Sequence, residues 1–176
     1  VIILIRLQSL SDTNINSETK EVQECILMME NSAGVPLEVH LIDTPGFDDD
    51  FDADADVLHK VASWINTIFH SDKERISGVL YLHDISLSRI RGSGLRNLEM
   101  LPKFLGQDQL EFCTLVTTHW GTLKDSSLET KREAEIRANT TYWKSLLGGF
   151  SHADMARFDN SDASALAIIA RHLSRS

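Results

Sequence analysis

Five consecutive residues, Asp43-Thr44-Pro45-Gly46-Phe47, have types and an order that could support ligand chemistry. They follow the largely apolar segment 39–42, so a buried strand would deliver the Asp43 carboxylate to an edge of the fold. Gly46 has no side chain, and its backbone can therefore approach a bound ligand closely. The alternative is a buried strand that ends in an ordinary Pro-Gly turn. This segment alone leaves both interpretations open.

The elements that must position this segment alternate between strands and helices. Strands are predicted over 21–30, 37–43, 77–83, 111–118 and 155–158, with the first two forming a hairpin through the turn 31–34. Helices are predicted over 57–69, 95–105, 126–147 and 161–173, from apolar residues at helical spacing or from a clear stop at Gly148-Gly149. This alternation predicts a single α/β domain over residues 1–176, with a mostly parallel sheet, helices on both faces and one antiparallel edge strand.

Composition narrows the classes of partner. The chain has 176 residues and a net charge of −9, which argues against a nucleic-acid duplex and against an anionic membrane surface. No apolar segment approaches the roughly 20 residues of a membrane span. The two cysteines, Cys25 and Cys113, each lie inside an apolar run. They are therefore predicted to be buried thiols in a reducing, cytoplasmic compartment.

An acidic string over 48–56 invites comparison with a calcium-binding loop. An EF-hand loop that starts at Asp50 would need glycine at position 55 and glutamate at position 61, but the sequence has Ala55 and Val61. The string is better explained as a solvated loop and a favourable helix start. The seven histidines form no zinc-binding motif with one another or with the cysteines.

Taken in order, the chain resembles the G domain of P-loop GTPases, and more closely the septin-like and immunity-associated group, including fungal G-domain proteins. The resemblance covers about residues 15 to 173. The stretches that carry it are 17–23, 41–49, 89–92, 95–98, 115–120, 142–143, 157–158 and 164–165. The stretch LIDTPGFDD over 41–49 is the most specific of them.

The resemblance implies a three-layer P-loop-NTPase-like fold that binds a guanine nucleotide, GTP or GDP, together with Mg²⁺. Thr19 and Asp43 would hold the Mg²⁺ ion, Asp43 through a water molecule. Thr19 and Gly46 would contact the γ-phosphate as the catalytic residues, and Thr44 would bind the nucleotide beside them. Phe47 occupies a position where many small GTPases carry a glutamine that orients water, so hydrolysis would depend on other groups or on a partner subunit.

The base-recognition segment is implied at Thr117, Thr118 and Trp120, where other GTPases carry Asn-Lys-x-Asp. No carboxylate follows until Asp125. Guanine recognition would therefore depend on other groups. Trp120 either stacks on the base or belongs to the core.

The phosphate loop of the family, G-x-x-x-x-G-K-[ST], is missing, because no glycine precedes Gly34 and Lys20 is the only lysine before it. Each lost charge-assisted hydrogen bond is worth about 1.5–3 kcal/mol, so the affinity for nucleotide should fall by several orders of magnitude. Two explanations compete. In the preferred one, the G domain is truncated at its N-terminus and residues 2–5 are the tail of a helix. In the other, residues 1–7 are the true first strand of a pseudo-GTPase that binds protein partners.

One further expectation concerns partners, and one concerns an alternative class of domain. A switch surface of this kind would bind a protein partner or form a G-domain dimer. An unrelated doubly wound binding domain is a third, weaker interpretation.

Overall fold

The computed structural model describes residues 2–9, 23–31, 33–43, 59, 63, 76–87, 112–138 and 152–174. The strands of these residues are β1 (Ile2–Ser9), β2 (Gln23–Glu30), β3 (Pro36–Asp43), β4 (Ile76–Asp84), β5 (Phe112–Thr118) and β6 (His152–Arg157). The helices are α1 (Ser126–Ala138) and α2 (Asp162–Leu173). The chain is therefore a mixed α/β protein, as the sequence predicted.

The described strands form one six-stranded sheet in the order β2-β3-β1-β4-β5-β6. The pairs β4–β5 and β5–β6 are parallel. The pairs β2–β3, β1–β3 and β1–β4 are antiparallel. The predicted antiparallel edge strand is confirmed as β2, but the expectation of a mostly parallel sheet is wrong. The reason is that β1 runs against both of its neighbours.

The N-terminal segment corrects a second expectation. Residues 2–5 were expected to be the tail of a helix, but they belong to β1, in the middle of the sheet. Ile5 is fully buried and packs in the same core as Val39 and Leu80. A continuous apolar run suits a strand that is covered on both faces, whereas a helix would need additional apolar residues at helical spacing.

The predicted hairpin is confirmed. Strands β2 and β3 pair from Gln23↔Asp43 to Glu30↔Pro36. The turn between them is closed by the Asn31 side chain, whose Oδ1 accepts hydrogen bonds from the backbone N–H groups of Ala33 and Val35 at 3.0 and 2.9 Å. Asparagine favours turns because its side chain can bond the backbone in this way.

The hydrophobic core lies between the sheet and α2. Strand β5 is buried along its whole length, which is typical of a central parallel strand. Helix α2 begins at an N-cap, Ser161, whose hydroxyl accepts a hydrogen bond from the Ser164 N–H at 3.1 Å. Its buried side chains are Ile168, Ile169, His172 and Leu173. Leu166 of the same helix is 47% exposed.

Several predicted elements lie wholly or largely outside the described residues. They are the acidic segment 48–56, the helices over 57–69 and 95–105, and the continuation of α1 beyond Ala138. Within the first of these helices, His59 and Ser63 are described and are helical, and the Ser63 Oγ lies 3.2 Å from the His59 Nδ1.

Candidate functional site

The carboxyl ends of four strands meet at one edge of the sheet. Since β3 and β4 are both antiparallel to β1, they run in the same direction as each other and as β5 and β6. We call this edge the rim and define it by Asp43, Asp84, the segment 117–120 and Arg157. Ligands of open α/β sheets bind in the crevice outside the carboxyl ends of the strands.

The predicted site residues that are described lie on this rim, but not side by side. Asp43 ends β3 and is exposed, whereas Thr117 and Thr118 end β5. Strands β1 and β4 lie between them, which separates the two groups by three strand spacings, or about 14 Å, across the sheet. The register places Asp43 level with Ile3, Leu80 and Thr114, so Asp43 also lies four residues, or about 13 Å, short of Thr118 along the strands. Thr19, Thr44 and Gly46 lie outside the described residues.

The hydroxyl groups of Thr117 and Thr118 form hydrogen bonds within the protein. Thr117 is fully buried, and its hydroxyl donates a hydrogen bond to the Ala156 carbonyl at 3.2 Å. The Thr118 hydroxyl lies 3.3 Å from the His83 carbonyl oxygen and 2.9 Å from the His119 Nδ1. These contacts join the ends of β4, β5 and β6.

Trp120 is turned toward the end of β5. Its indole N–H lies 3.1 Å from the carbonyl oxygen and 3.0 Å from the hydroxyl oxygen of Thr117. The Arg157 guanidinium lies over the indole, with its carbon 4.2 Å from the ring centroid. Such a stacked guanidinium is held by the electrons of the ring face. One face of Trp120 is therefore already covered, and its polar atom is already bonded.

A buried carboxylate orients this arginine. Glu133 of α1 is only 5% exposed, and the Arg157 Nε donates to both of its carboxylate oxygens at 3.0 Å. The Arg157 Nη2 donates to the same carboxylate, and Arg137 adds a longer contact of 3.4 Å. The hydrogen bonds from Arg157 lower the pKa of Glu133, and Glu133 in turn raises the pKa of Arg157. The pair is therefore ionised, and it fixes the guanidinium over the Trp120 ring.

A second carboxylate of α1 fixes the loop that follows Trp120. Glu129 is 2% exposed and accepts hydrogen bonds from the Gly121 N–H at 3.0 Å and the Leu123 N–H at 3.1 Å. These backbone donors lower the pKa of Glu129. Gly121 has a φ of +78°, a conformation that glycine adopts without strain. The loop between β5 and α1 is therefore held in one shape by the helix that follows it.

Two rim residues were missed by the sequence interpretation, His119 and Asp84. His119 has a φ of +60°, and its side chain is 60% exposed. Its Nδ1 lies 3.7 Å from an Asp84 carboxylate oxygen. The other oxygen of Asp84 accepts a hydrogen bond from the Ser86 N–H at 2.8 Å. Asp84 ends the buried strand β4, and His119 immediately follows the buried strand β5. A polar residue at the end of an apolar run was the sequence signal that could have identified both.

Comparison of the chain with protein-family models, with curated proteins and with solved structures gives no match. Function is therefore inferred from the residues and the geometry of the rim.

Two features of the described residues bear on partners. None of the helices in this part of the chain is both long enough and apolar enough to cross a membrane. The described His, Cys, Asp and Glu side chains do not form a group of three or more that could hold a metal ion.

Proposed function

We propose that this chain is a G domain of the GTPase class, which binds a guanine nucleotide with Mg²⁺ along the rim. The observation that carries the proposal is that Asp43 and the segment 117–120 end strands of the same direction at one edge of the sheet. The resemblance assigns the phosphate end of the site to the first of these and the base end to the second.

The spacing along the rim supports an elongated ligand. About 14 Å across the sheet and about 13 Å along the strands separate Asp43 from Thr118, because Asp43 is level with Thr114. A nucleoside triphosphate has a charged end and an aromatic end separated by a sugar, so it is a ligand that could extend from Asp43 toward the end of β5. A small metabolite could reach only one of them.

Asp43 has the chemistry that a Mg²⁺ ion requires. Mg²⁺ in nucleotide sites keeps several water molecules and takes one or two protein carboxylates, with phosphate oxygens as further ligands. An exposed carboxylate at the rim fits this requirement. When bound, the ion would neutralise charge on the phosphates. Thr19, Thr44 and Gly46 would complete this end of the site.

A fluorescent GTP analogue, titrated in the presence of Mg²⁺, tests the proposal. The wild-type chain is expected to bind more weakly than the micromolar range, because it has no phosphate loop. Asp43→Asn should weaken the Mg²⁺-dependent binding by about tenfold, the value of one charge-assisted interaction.

Glu30→Gln is a matched control, because Glu30 is an exposed carboxylate at the opposite edge of the sheet. It should leave the affinity unchanged. Equal losses in the two variants, or binding that does not depend on Mg²⁺, would overturn the role of Asp43. Sub-micromolar binding would contradict the cost that we assign to the missing phosphate loop.

A second candidate function is supported by the direction of β1. In this alternative the chain is a pseudo-GTPase that binds proteins and does not turn over nucleotide. The amino end of β1 lies at the rim and its carboxyl end at Ser9 lies opposite Leu37, at the other edge of the sheet. The chain therefore leaves β1 on the side away from the rim. This alternative predicts that neither GTP binding nor an effect of Asp43→Asn will be detected.

A further inference from the structure

We propose that the outer edge of β2 binds an extended, basic segment of a partner protein, which joins the sheet as a further strand. The pattern that fits this edge is basic-x-apolar-x-apolar-x-basic, where x is a polar residue. The inference goes beyond the proposed function and is independent of it, because it uses none of the residues that define the rim and needs no nucleotide.

Strand β2 has a regular edge. It lies at the end of the sheet that the described strands form, and all of its eight residues pair with β3, from Gln23 to Glu30. Natural edge strands are usually protected from further pairing by lysine, proline or a bulge. The sequence of β2, QECILMME, contains no lysine or proline, and its register with β3 is continuous. The strand therefore retains the geometry that a further strand would need.

The main chain of this edge is exposed at Glu24. The whole residue is exposed, yet its side chain is only 22% exposed, and its Oε1 lies 2.7 Å from the His40 Nδ1. Much of the exposed surface of Glu24 therefore belongs to its main chain. Cys25 beside it is exposed as well. A strand that adds to a sheet gains affinity from hydrogen bonds to such main-chain groups and specificity from alternate side chains.

One face of β2 has an apolar centre with a carboxylate at each end. Residues two positions apart in a strand lie on the same face, which here carries Glu24, Ile26, Met28 and Glu30. Ile26 is 52% exposed and Met28 is 60% exposed. An added strand with two alternating apolar residues would pack against Ile26 and Met28 and remove their surface from water. This requirement gives the apolar part of the pattern.

The charges around this apolar centre favour a basic partner. Glu30 is exposed, and the side chain of Glu38, which lies opposite Met28 in the register, is 30% exposed. Opposite charges on neighbouring strands stabilise the pair, whereas like charges destabilise it. The net charge of −9 also attracts a basic segment over longer distances. Because carboxylates stand at both ends, positions 24 and 30, the pattern fits in either strand direction.

A second copy of this chain fits the same edge less well. Antiparallel pairing of β2 with β2 about Leu27 would place Glu24 of each copy opposite Glu30 of the other, so like charges would meet at both ends. Two chains that each carry a net charge of −9 also repel one another. The charges therefore favour a partner of opposite sign over self-association.

The test titrates the whole chain, without nucleotide, with the end-blocked peptide Lys-Thr-Val-Thr-Val-Thr-Lys and follows the backbone amides by NMR. Titration to about 1 mM detects binding as weak as millimolar. The peptide should shift the amide signals of β2. It should also slow hydrogen exchange at alternate residues of β2, because every second amide of an edge strand points outward.

Two further peptides test the charges with the wild-type chain alone. Glu-Thr-Val-Thr-Val-Thr-Glu keeps the valines and reverses both charges, so it should bind at least about fivefold more weakly. Thr-Lys-Val-Thr-Val-Lys-Thr keeps the composition but moves the lysines to the opposite face of the strand. It should bind more weakly than the first peptide, because its lysines no longer lie on the face of the two carboxylates.

A pair of protein variants tests the apolar centre. Met28→Lys replaces an apolar contact by a positive charge and should weaken binding of the first peptide at least about tenfold. Leu166→Lys is the matched control, because Leu166 is 47% exposed but lies on α2, and it should bind the peptide as the wild type does. Urea denaturation of both variants shows whether each is folded. If Met28→Lys does not fold, the peptide comparisons on the wild-type chain still decide the question.

The inference is supported if the lysine peptide slows exchange at alternate amides of β2 and if Met28→Lys, but not Leu166→Lys, weakens its binding. It is wrong if that peptide leaves the β2 signals unchanged, or if the lysine and glutamate peptides bind equally well. Sedimentation of the chain alone should show a monomer, and a dimer that Met28→Lys dissociates would assign the edge to a second copy instead. Since GTP is absent throughout, none of these outcomes depends on the proposed function.

Discussion

The two halves of the sheet differ in how their polar groups are satisfied. In the parallel half, β4 to β6, the carboxylates of Glu129 and Glu133 are buried, and they fix the loop and the arginine at the rim. In the antiparallel half, β1 to β3, the edge strand β2 is largely open to solvent, with Ile26 52% and Met28 60% exposed. Asp43, at the rim end of this half, is also exposed.

The two ends of the candidate site are therefore built differently. The end assigned to the base is rigid in the chain by itself, since helix α1 holds the loop after β5 through hydrogen bonds from Gly121 and Leu123. The end assigned to the phosphates contributes one exposed carboxylate from the described residues. If a nucleotide binds as we propose, it would meet a preformed loop after β5 and would gain further contacts at Asp43.

The largest expected effect compares glycines in the two halves. A Cβ at Gly78 in β4 would lie 2.0 Å from the ring of the buried His172, whereas one at Gly34 in the β2–β3 turn would meet nothing within 4 Å. Gly78→Ala should therefore lower the free energy of unfolding by about 3 kcal/mol, through overpacking. Gly34→Ala should cost only about 1 kcal/mol, because its φ of +74° is strained for alanine.

Urea denaturation of both variants measures the difference. Gly121→Ala tests whether the loss of stability comes from backbone strain or from the half of the sheet in which the glycine lies. Gly121 lies in the parallel half but, like Gly34, has a positive φ and open space around it. It should behave like Gly34→Ala. Equal losses for Gly78→Ala and Gly34→Ala would mean that α2 is not packed tightly on β4.

The sequence could predict an element where contacts between residues close in sequence determine its structure. The hairpin and β5 follow from local patterns, and their predicted bounds lie within two residues of the observed ones. The run at 2–5 has no helical or strand period, so its state was decided by the core around Ile5 and not by propensity. The direction of β1 depends on which strands flank it, which no local pattern specifies.

The candidate site shows the same limit. Asp43 could be predicted at a strand end, because a carboxylate after an apolar run is a local signal. The conformation of His119 depends on a loop that is held by Glu129, ten positions further along the chain. The inward turn of Trp120 depends on Arg157 from another strand. Such contacts exist only after the sheet has formed.

The next effect concerns the buried ion pair of the parallel half. Glu133→Gln keeps the shape of the side chain but removes the charge that holds Arg157. We expect a loss of about 2 kcal/mol at neutral pH, at the lower end for a charge-assisted pair because the arginine is half exposed. Glu135→Gln, an exposed change on the same helix, should alter stability by less than about 0.5 kcal/mol.

The pH dependence of this loss is a further check. The pKa of Glu133 is lowered from its ordinary value of 4.5, chiefly by the hydrogen bonds from Arg157. The stabilisation is therefore fully present above pH 4.5 and is lost as the pH falls through the lower pKa of the folded state. Wild type and Glu133→Gln should differ most at neutral pH and converge on acidification. A difference that persists unchanged in acid would show that the loss does not come from the charge.

The smallest effect on stability is expected at a cysteine of the open edge. Cys25 of β2 is exposed, whereas Cys113 of β5 is fully buried, and burial raises the pKa of its thiol. Cys25→Ser should change the free energy of unfolding by less than about 0.5 kcal/mol, because the side chain is already in water. The expectation that both cysteines are buried is therefore wrong for Cys25, because its apolar neighbours in sequence lie on an edge strand.

Thiol labelling of the native protein tests the same difference in exposure between Cys25 and Cys113 without measuring a small change in the free energy of unfolding. Since the thiolate is the reactive form, a disulfide reagent should modify Cys25 rapidly. Cys113 should react only as fast as the core opens, so its labelling rate should rise with urea as unfolding does. Cys25→Ser should remove the rapid phase and leave the slow one. Two rapid phases in the wild-type protein would mean that β5 is not the closed centre of the parallel half.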